Sequence, residues 1–116
     1  MLINLSNHPS ASWSAEQTAV ANKSYGKIVD LPFPQVLPDG DEAYIENLAD
    51  EYLQRILGMK DVSAVHLMGE MNFTFSLVNK LKAKGVRCVA STTKRETVEE
   101  NGVKISKFKF VRYRCY

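Results

Sequence analysis

Apolar positions along the chain change rhythm several times, and each change marks an element. Leu2 to Leu5 is a short apolar run ending at Ser6, the pattern of a buried strand. Asn7-His8-Pro9-Ser10-Ala11-Ser12 follows as a polar loop rich in turn formers. Ser14 with Gln17 three residues later is a capping box, which predicts a helix from about Ser14 to Lys23. Gly26 to Leu31 reads as a second strand, stopped by Pro32 and Pro34, which cannot donate to a ladder. Asp39 and Glu42 then offer a second capping box. Beyond it Tyr44, Ile45, Leu48, Ala49, Tyr52, Leu53, Ile56 and Leu57 recur at helical spacing, and Gly58 is expected just past the helix end. That stripe makes its tyrosines core residues rather than ligand stackers.

The stretch Val62 to Arg95 organises the rest. An apolar run, Val62 to Met68, meets Gly69. A helical pattern follows, with Asn72 as the expected N-cap and Phe73, Leu77, Val78 and Leu81 on the core side. Lys80, Lys82 and Lys84 crowd its last turns, where the helix dipole favours cations. After Gly85, Val86 to Ala90 is a fourth strand that runs into Ser91-Thr92-Thr93-Lys94-Arg95. Strand, turn, helix, strand is a crossover between parallel strands. Asn101-Gly102 is a strong hairpin signal, and Val103 to Tyr116 returns as a long strand. Its apolar parity slips twice, from Val103 and Ile105 to Phe108 and Phe110, then to Val111 and Tyr113. Bulges or burial on both faces account for such slips. The prediction is an α/β domain spanning residues 1–116. It is a three-layer, Rossmann-like arrangement of four parallel strands and three helices, closed by a C-terminal antiparallel β-hairpin.

Composition narrows the function classes. The 116 residues suffice for one core, and a net charge of +2 is too small to argue for a long nucleic acid partner. The charge is uneven, however: residues 94–116 carry seven Lys or Arg against three Glu. Lysines on a solvated strand face, protecting it from edge pairing, explain much of that excess. Cys88 and Cys115 form no CxxC or Cys/His cluster, so neither a disulfide framework nor a metal site is expected. No apolar run approaches membrane-spanning length, and no charged region precedes the first apolar residues. The expectation is a cytoplasmic protein that makes no membrane contact and carries no cofactor.

In open α/β sheets ligands bind beyond the carboxyl ends of the strands. Three segments are expected there: Ser6-Asn7-His8 with Ser10 and Ser12; Gly69-Glu70-Met71-Asn72 with Thr74; and Ser91-Thr92-Thr93-Lys94-Arg95. Hydroxyls, helix N-terminal amides and two cations suit phosphate groups. Gly69 lets a backbone approach closely. No GxGxxG sequence follows the first strand and no Walker A sequence occurs, so a conventional dinucleotide or P-loop site is not expected. Each piece also has a plainer reading. His8 before Pro9 reads equally as a turn residue, His66 as a satisfied core histidine, and Glu70 as a helix cap whose charge would repel phosphate.

On LINLSNHP at the start, HLMGEMNFTFSLVNKLKAKGVRCVASTTKR in the middle and KFKFVRYRCY at the end, the chain resembles the CRISPR-associated Rossmann fold. It is most similar to the small stand-alone proteins grouped with ring nucleases. The resemblance implies a homodimer that holds a cyclic oligoadenylate, cyclic tetra-adenylate first among them, above the strand ends. It also implies either sensing of the ring or metal-free cutting of it by ribose 2′-hydroxyl attack. The family's turn often carries a lysine. Here Gly69 and Thr74 fit while Glu70-Met71-Asn72 stands in the cation's place, so Lys94 and Arg95 would supply the positive charge. His8 is then the candidate general base, and Ser10, Ser91 and Thr92 would orient phosphates. A binder that does not cut and an interaction protein using Lys107 to Tyr116 as its surface stay open beside the enzyme.

Overall fold

The computed structural model describes residues Met1–Tyr116. Five strands, β1 (Leu2–Ser6), β2 (Ile28–Asp30), β3 (Ala64–Met68), β4 (Cys88–Glu100) and β5 (Val103–Cys115), form one sheet in the order β2-β1-β3-β4-β5. The first four pair in parallel and β5 is antiparallel to β4, so the sheet is mixed. Three helices, α1 (Ala15–Tyr25), α2 (Glu42–Leu57) and α3 (Met71–Ala83), complete an α/β architecture. None is long and apolar enough to cross a membrane.

Alternation along the strands divides the core between the two faces of the sheet. Ile3 and Leu5 of β1, Val65 and Leu67 of β3 and Cys88 of β4 pack with α2 and α3. The intervening Leu2, Ala64 and Val89 pack with Ala21 of α1 and with Phe110 and Tyr113 of β5. On the first face Phe73 is fully buried, with the rings of Phe33 and Tyr52 edge-on at 5.3 and 5.4 Å. Burying such a side chain contributes roughly 1.5–3 kcal/mol.

The helix starts follow capping chemistry, at two places displaced from expectation. Ser14 caps α1 as predicted, its hydroxyl accepting from the Gln17 amide. Asp41 rather than Asp39 caps α2, accepting from the Tyr44 amide at 2.9 Å. Glu70 rather than Asn72 caps α3; its carboxylate accepts from the amides of Asn72 and Phe73, both at 2.9 Å. Gly58 ends α2 at φ −78°, without the left-handed conformation expected of a glycine there.

The largest departure is the length of β4. The expected strand stopped at Ala90, whereas β4 continues through Ser91–Arg95 to Glu100. Asn101 and Gly102 then turn the chain with φ of 53° and 77°, the double positive φ of the expected tight hairpin. Beyond Thr93 the two strands leave the body as an arm: residues 94–104 and 106–109 are exposed. The Cα radius of gyration, 15.8 Å, exceeds the roughly 13 Å typical of a compact domain of this length. One register shift, between Thr92 and Thr93, leaves Val111 as an extra residue in β5. That bulge accounts for the second parity slip. The first slip lies on the arm, where neither face is buried.

Candidate functional site

Register builds the polar centre of this protein. Asp30 on β2, Asn4 on β1 and His66 on β3 are neighbours across three parallel strands. Side chains in such a row share a face, here the face of α1. The Asn4 amide nitrogen donates to Asp30 Oδ1 at 2.8 Å and to the His8 carbonyl at 2.9 Å. Its oxygen accepts from Ser6 Oγ at 2.8 Å and lies 2.9 Å from His66 Nδ1. On the far side of the imidazole, Nε2 is 3.1 Å from Ser91 Oγ on β4. Asn4 and His66 are both 2 % exposed, so this chain of hydrogen bonds is part of the core. Leaving one of its members unpaired would cost about 1–3 kcal/mol.

The aromatic surroundings complete the burial of His66. Trp13 and Tyr113 meet its ring edge-on, at centroid distances of 5.3 and 5.6 Å. Burial, with a smaller contribution from nearby His8, pushes the His66 pKa down to about 4, so the ring is neutral at pH 7. Burial alone would raise the Asp30 carboxyl. Hydrogen bonds from Asn4 and from the Ser10 hydroxyl and amide outweigh it and hold the group below its ordinary value.

His66 and Ser91 open onto a cavity of about 350 Å³ between the start of α1 and the root of the arm. His8, Ser12 and Thr93 line it too, so four expected site residues, His8, Ser12, Ser91 and Thr93, come together. Trp13, Ser14, Gln17, Phe108 and Phe110 complete the wall. Phe108 is 69 % exposed and forms a free aromatic lip. The His8 loop is held by its backbone: the His8 carbonyl accepts from Asn4 and Trp13 Nε1, and the His8 amide donates to Ser6 Oγ. The exposed imidazole is left free to face the cavity.

The other expected residues lie elsewhere. Ser6 and Asn7 line a separate hollow with Asp30 and Phe33, and Ser10 is bound to Asp30. A methyl group at Gly69 would overlap the Phe33 ring, so this glycine admits a side chain rather than a ligand. The Glu70 carboxylate occupies the amides that phosphate was expected to use. Asn72 faces a groove of about 410 Å³ between α2 and α3, where Lys80 pairs with Glu46 at 2.8 Å and Asp50 at 2.9 Å. Thr74 Oγ1 is buried without a partner, beside Met68, Phe75 and Tyr116. The expected rim of three loops is therefore replaced by a cavity built from the first and third segments.

The third segment is itself split by alternation. Ser91, Thr93 and Arg95 share the cavity face of β4, while Thr92 and Lys94 point to the other side. Thr92 Oγ1 is engaged at the bulge with the Arg112 amide and carbonyl. Arg95 donates to Ser106 Oγ across the hairpin, at 3.0 and 3.2 Å. Lys94 stands opposite Lys109, a like-charge pair on the outer face of the arm. No group of three or more His, Cys, Asp or Glu is placed to hold a metal ion.

What sequence reasoning missed is the pairing of His66 with Ser91 and the part played by Asn4 and Asp30. Their separation along the chain hid it; the signal available was a histidine and an asparagine, each in an otherwise apolar strand. No curated protein sequence and no solved structure matches the chain. Residues 1–114, nearly its whole length, match the Uncharacterized protein MJ1673 family, and the chain belongs to that family.

Proposed function

We propose that this protein binds a cyclic oligoadenylate, cyclic tetra-adenylate first among them, in the cavity between α1 and the root of the arm, and opens the ring. The observation that carries the reading is the gathering of His8, Ser12, Ser91 and Thr93 around one cavity, with His8 just past the carboxyl end of β1 and Ser91 and Thr93 past the parallel-paired part of β4. That is where open, Rossmann-like sheets place nucleotides. Phe108 at the lip and Trp13 in the wall supply faces on which a base stacks. The reaction is attack by a ribose 2′-hydroxyl on the neighbouring phosphodiester. A bond forms between the 2′-oxygen and phosphorus, the bond to the 5′-oxygen breaks, that oxygen takes a proton from solvent to leave as a 5′-hydroxyl, and a 2′,3′-cyclic phosphate remains. His8, exposed and facing the cavity, takes the 2′-hydroxyl proton. Arg95, on the cavity face of the arm, offsets charge on the phosphoryl oxygens. A four-fold ring suits a homodimer, in which two such cavities face one ligand, and a ligand of this kind places the protein in the cytoplasm.

The test is incubation with labelled cyclic tetra-adenylate. Linear products ending in a 2′,3′-cyclic phosphate are expected. The Lys94→Ala, Arg95→Ala double variant should lose cutting, and Arg95→Ala alone should reproduce that loss because Lys94 faces away. Unchanged turnover in the double variant would remove the catalytic assignment. An intact ring with a raised melting temperature would leave a sequestering binder, and a flat thermal response would end the nucleotide reading. The exposed apolar residues of β5, Val103, Phe108 and Val111 at 61, 69 and 54 %, favour a second reading in which the arm docks a protein partner.

A further inference from the structure

We propose that Ser91 faces the cavity as a hydrogen-bond acceptor, so that the ligand group it takes is an O–H or N–H donor and not a phosphate oxygen. The polarity of the chain is set inward from Asp30. Asn4 places one end of its amide against the Asp30 carboxylate and the His8 carbonyl, which only accept. That end is the NH₂, which turns the Asn4 oxygen toward His66 Nδ1. Nδ1 therefore carries the proton, and in the neutral ring Nε2 is a bare lone pair 3.1 Å from Ser91 Oγ. The Ser91 hydroxyl has one proton. Nε2 and the Met68 sulfur, 3.3 Å away, both accept, and the imidazole nitrogen is the stronger of the two. With its proton directed inward, Ser91 offers the cavity lone pairs alone.

A phosphodiester oxygen brings no proton and finds no partner at that point. The hydroxyls without such a chain behind them, Thr93 and Ser14, stay free to donate to it. The chain sets polarity and does not move a proton, because burial among Trp13 and Tyr113 disfavours a charged ring at His66. Identifying the donor rests on the nucleotide reading above. A cyclic oligoadenylate presents two donors, the ribose 2′-hydroxyl and the adenine 6-amino group.

The experiment has a ligand-free arm and a ligand arm. In free protein, nitrogen-15 NMR of His66 should show the Nδ1–H tautomer at neutral pH; an Nε2–H tautomer would overturn the proposal. In binding assays with cyclic tetra-adenylate, its 2′-deoxy analogue and its purine analogue lacking the 6-amino group, one analogue should bind wild-type protein about tenfold more weakly. In Ser91→Ala that penalty should vanish, and the analogue affected names the donor. Penalties for both analogues surviving intact in Ser91→Ala would overturn the proposal. If no ring binds wild-type protein, the nucleotide reading falls and takes the donor's identity with it, while the tautomer still decides the polarity of Ser91.

Discussion

Acid should unfold this protein partly through His66. In the unfolded chain the imidazole titrates near its ordinary value of about 6.5; in the folded protein burial lowers it to about 4. A depressed folded pKa means that the unfolded state takes up the proton first as pH falls, so stability is complete above about pH 6.5 and declines below it. One pKa unit corresponds to 1.36 kcal/mol, so the loss from this one group is about 2 kcal/mol at pH 5 and about 3 kcal/mol at pH 4. The full shift applies because His66 is 2 % exposed and little screened by solvent. Carboxylates such as Asp30 also lose their contribution in acid, so the measurement is a difference. Urea unfolding of wild-type and His66→Gln protein at pH 7, 5 and 4 isolates the term, since glutamine does not titrate. The variant should be the less stable at pH 7, because it cannot satisfy both Asn4 and Ser91, and the gap should close by about 3 kcal/mol at pH 4. Parallel stability curves, or an imidazole resonance titrating above pH 6, would refute the reasoning.

Two stability predictions follow from the far face. Thr74→Val replaces a buried hydroxyl that has no partner with a methyl group, and should stabilise by about 1 kcal/mol, read as a melting temperature roughly 4 °C higher; a lower value would reveal a partner for Oγ1. Glu70→Ala frees two amides at the start of α3 and should cost about 1 kcal/mol in urea unfolding at pH 7. Were Glu70 a ligand residue only, that variant would unfold as wild type does.

The two helices with capping boxes or broad apolar stripes, the crossover and the hairpin turn were legible because each is a local signal. Ser14 with Gln17, the stripe from Tyr44 to Leu57 and Asn101-Gly102 each fix their backbone within a few residues. The site was half legible for the opposite reason. His8, Ser12, Ser91 and Thr93 were expected where strands end; His8 does follow β1, whereas Ser91 and Thr93 lie inside β4, and all four line one cavity. Lys94 and Arg95 were read as a loop because the apolar rhythm stops at Ala90. It stops because β4 leaves the core, not because the strand ends. Continuing the strand sends two adjacent cations to opposite faces. His66 was passed over because its partners are set by register: Asn4 lies 62 residues away and Ser91 25, and no spacing rule brings them together.

A single extra residue ties the second core to the cavity. Cross-strand partners share a face, so Ser91 carries Tyr113 with it and Thr93 carries Phe110. Tyr113 and Phe110 are three apart in sequence, and in an unbroken strand they would face opposite ways. The bulge at Val111 turns both toward α1, where they are 7 and 5 % exposed beside Leu2, Ala21 and Val89. The same turn decides what the arm offers the cavity. In an unbroken β5, Val111, Lys109 and Lys107 would follow Tyr113 on that face. With the bulge, Phe110, Phe108 and Ser106 take those places and the two lysines face outward. Phe108 in the place of Lys109 sets an exposed ring at the lip, a surface that stacks against a flat ligand, while Phe110 in the place of Val111 is buried in the second core. Packing in the core and the chemistry of the cavity are therefore not separable at this point: the residue that lets β5 bury its aromatic rings also selects which side chains a ligand meets.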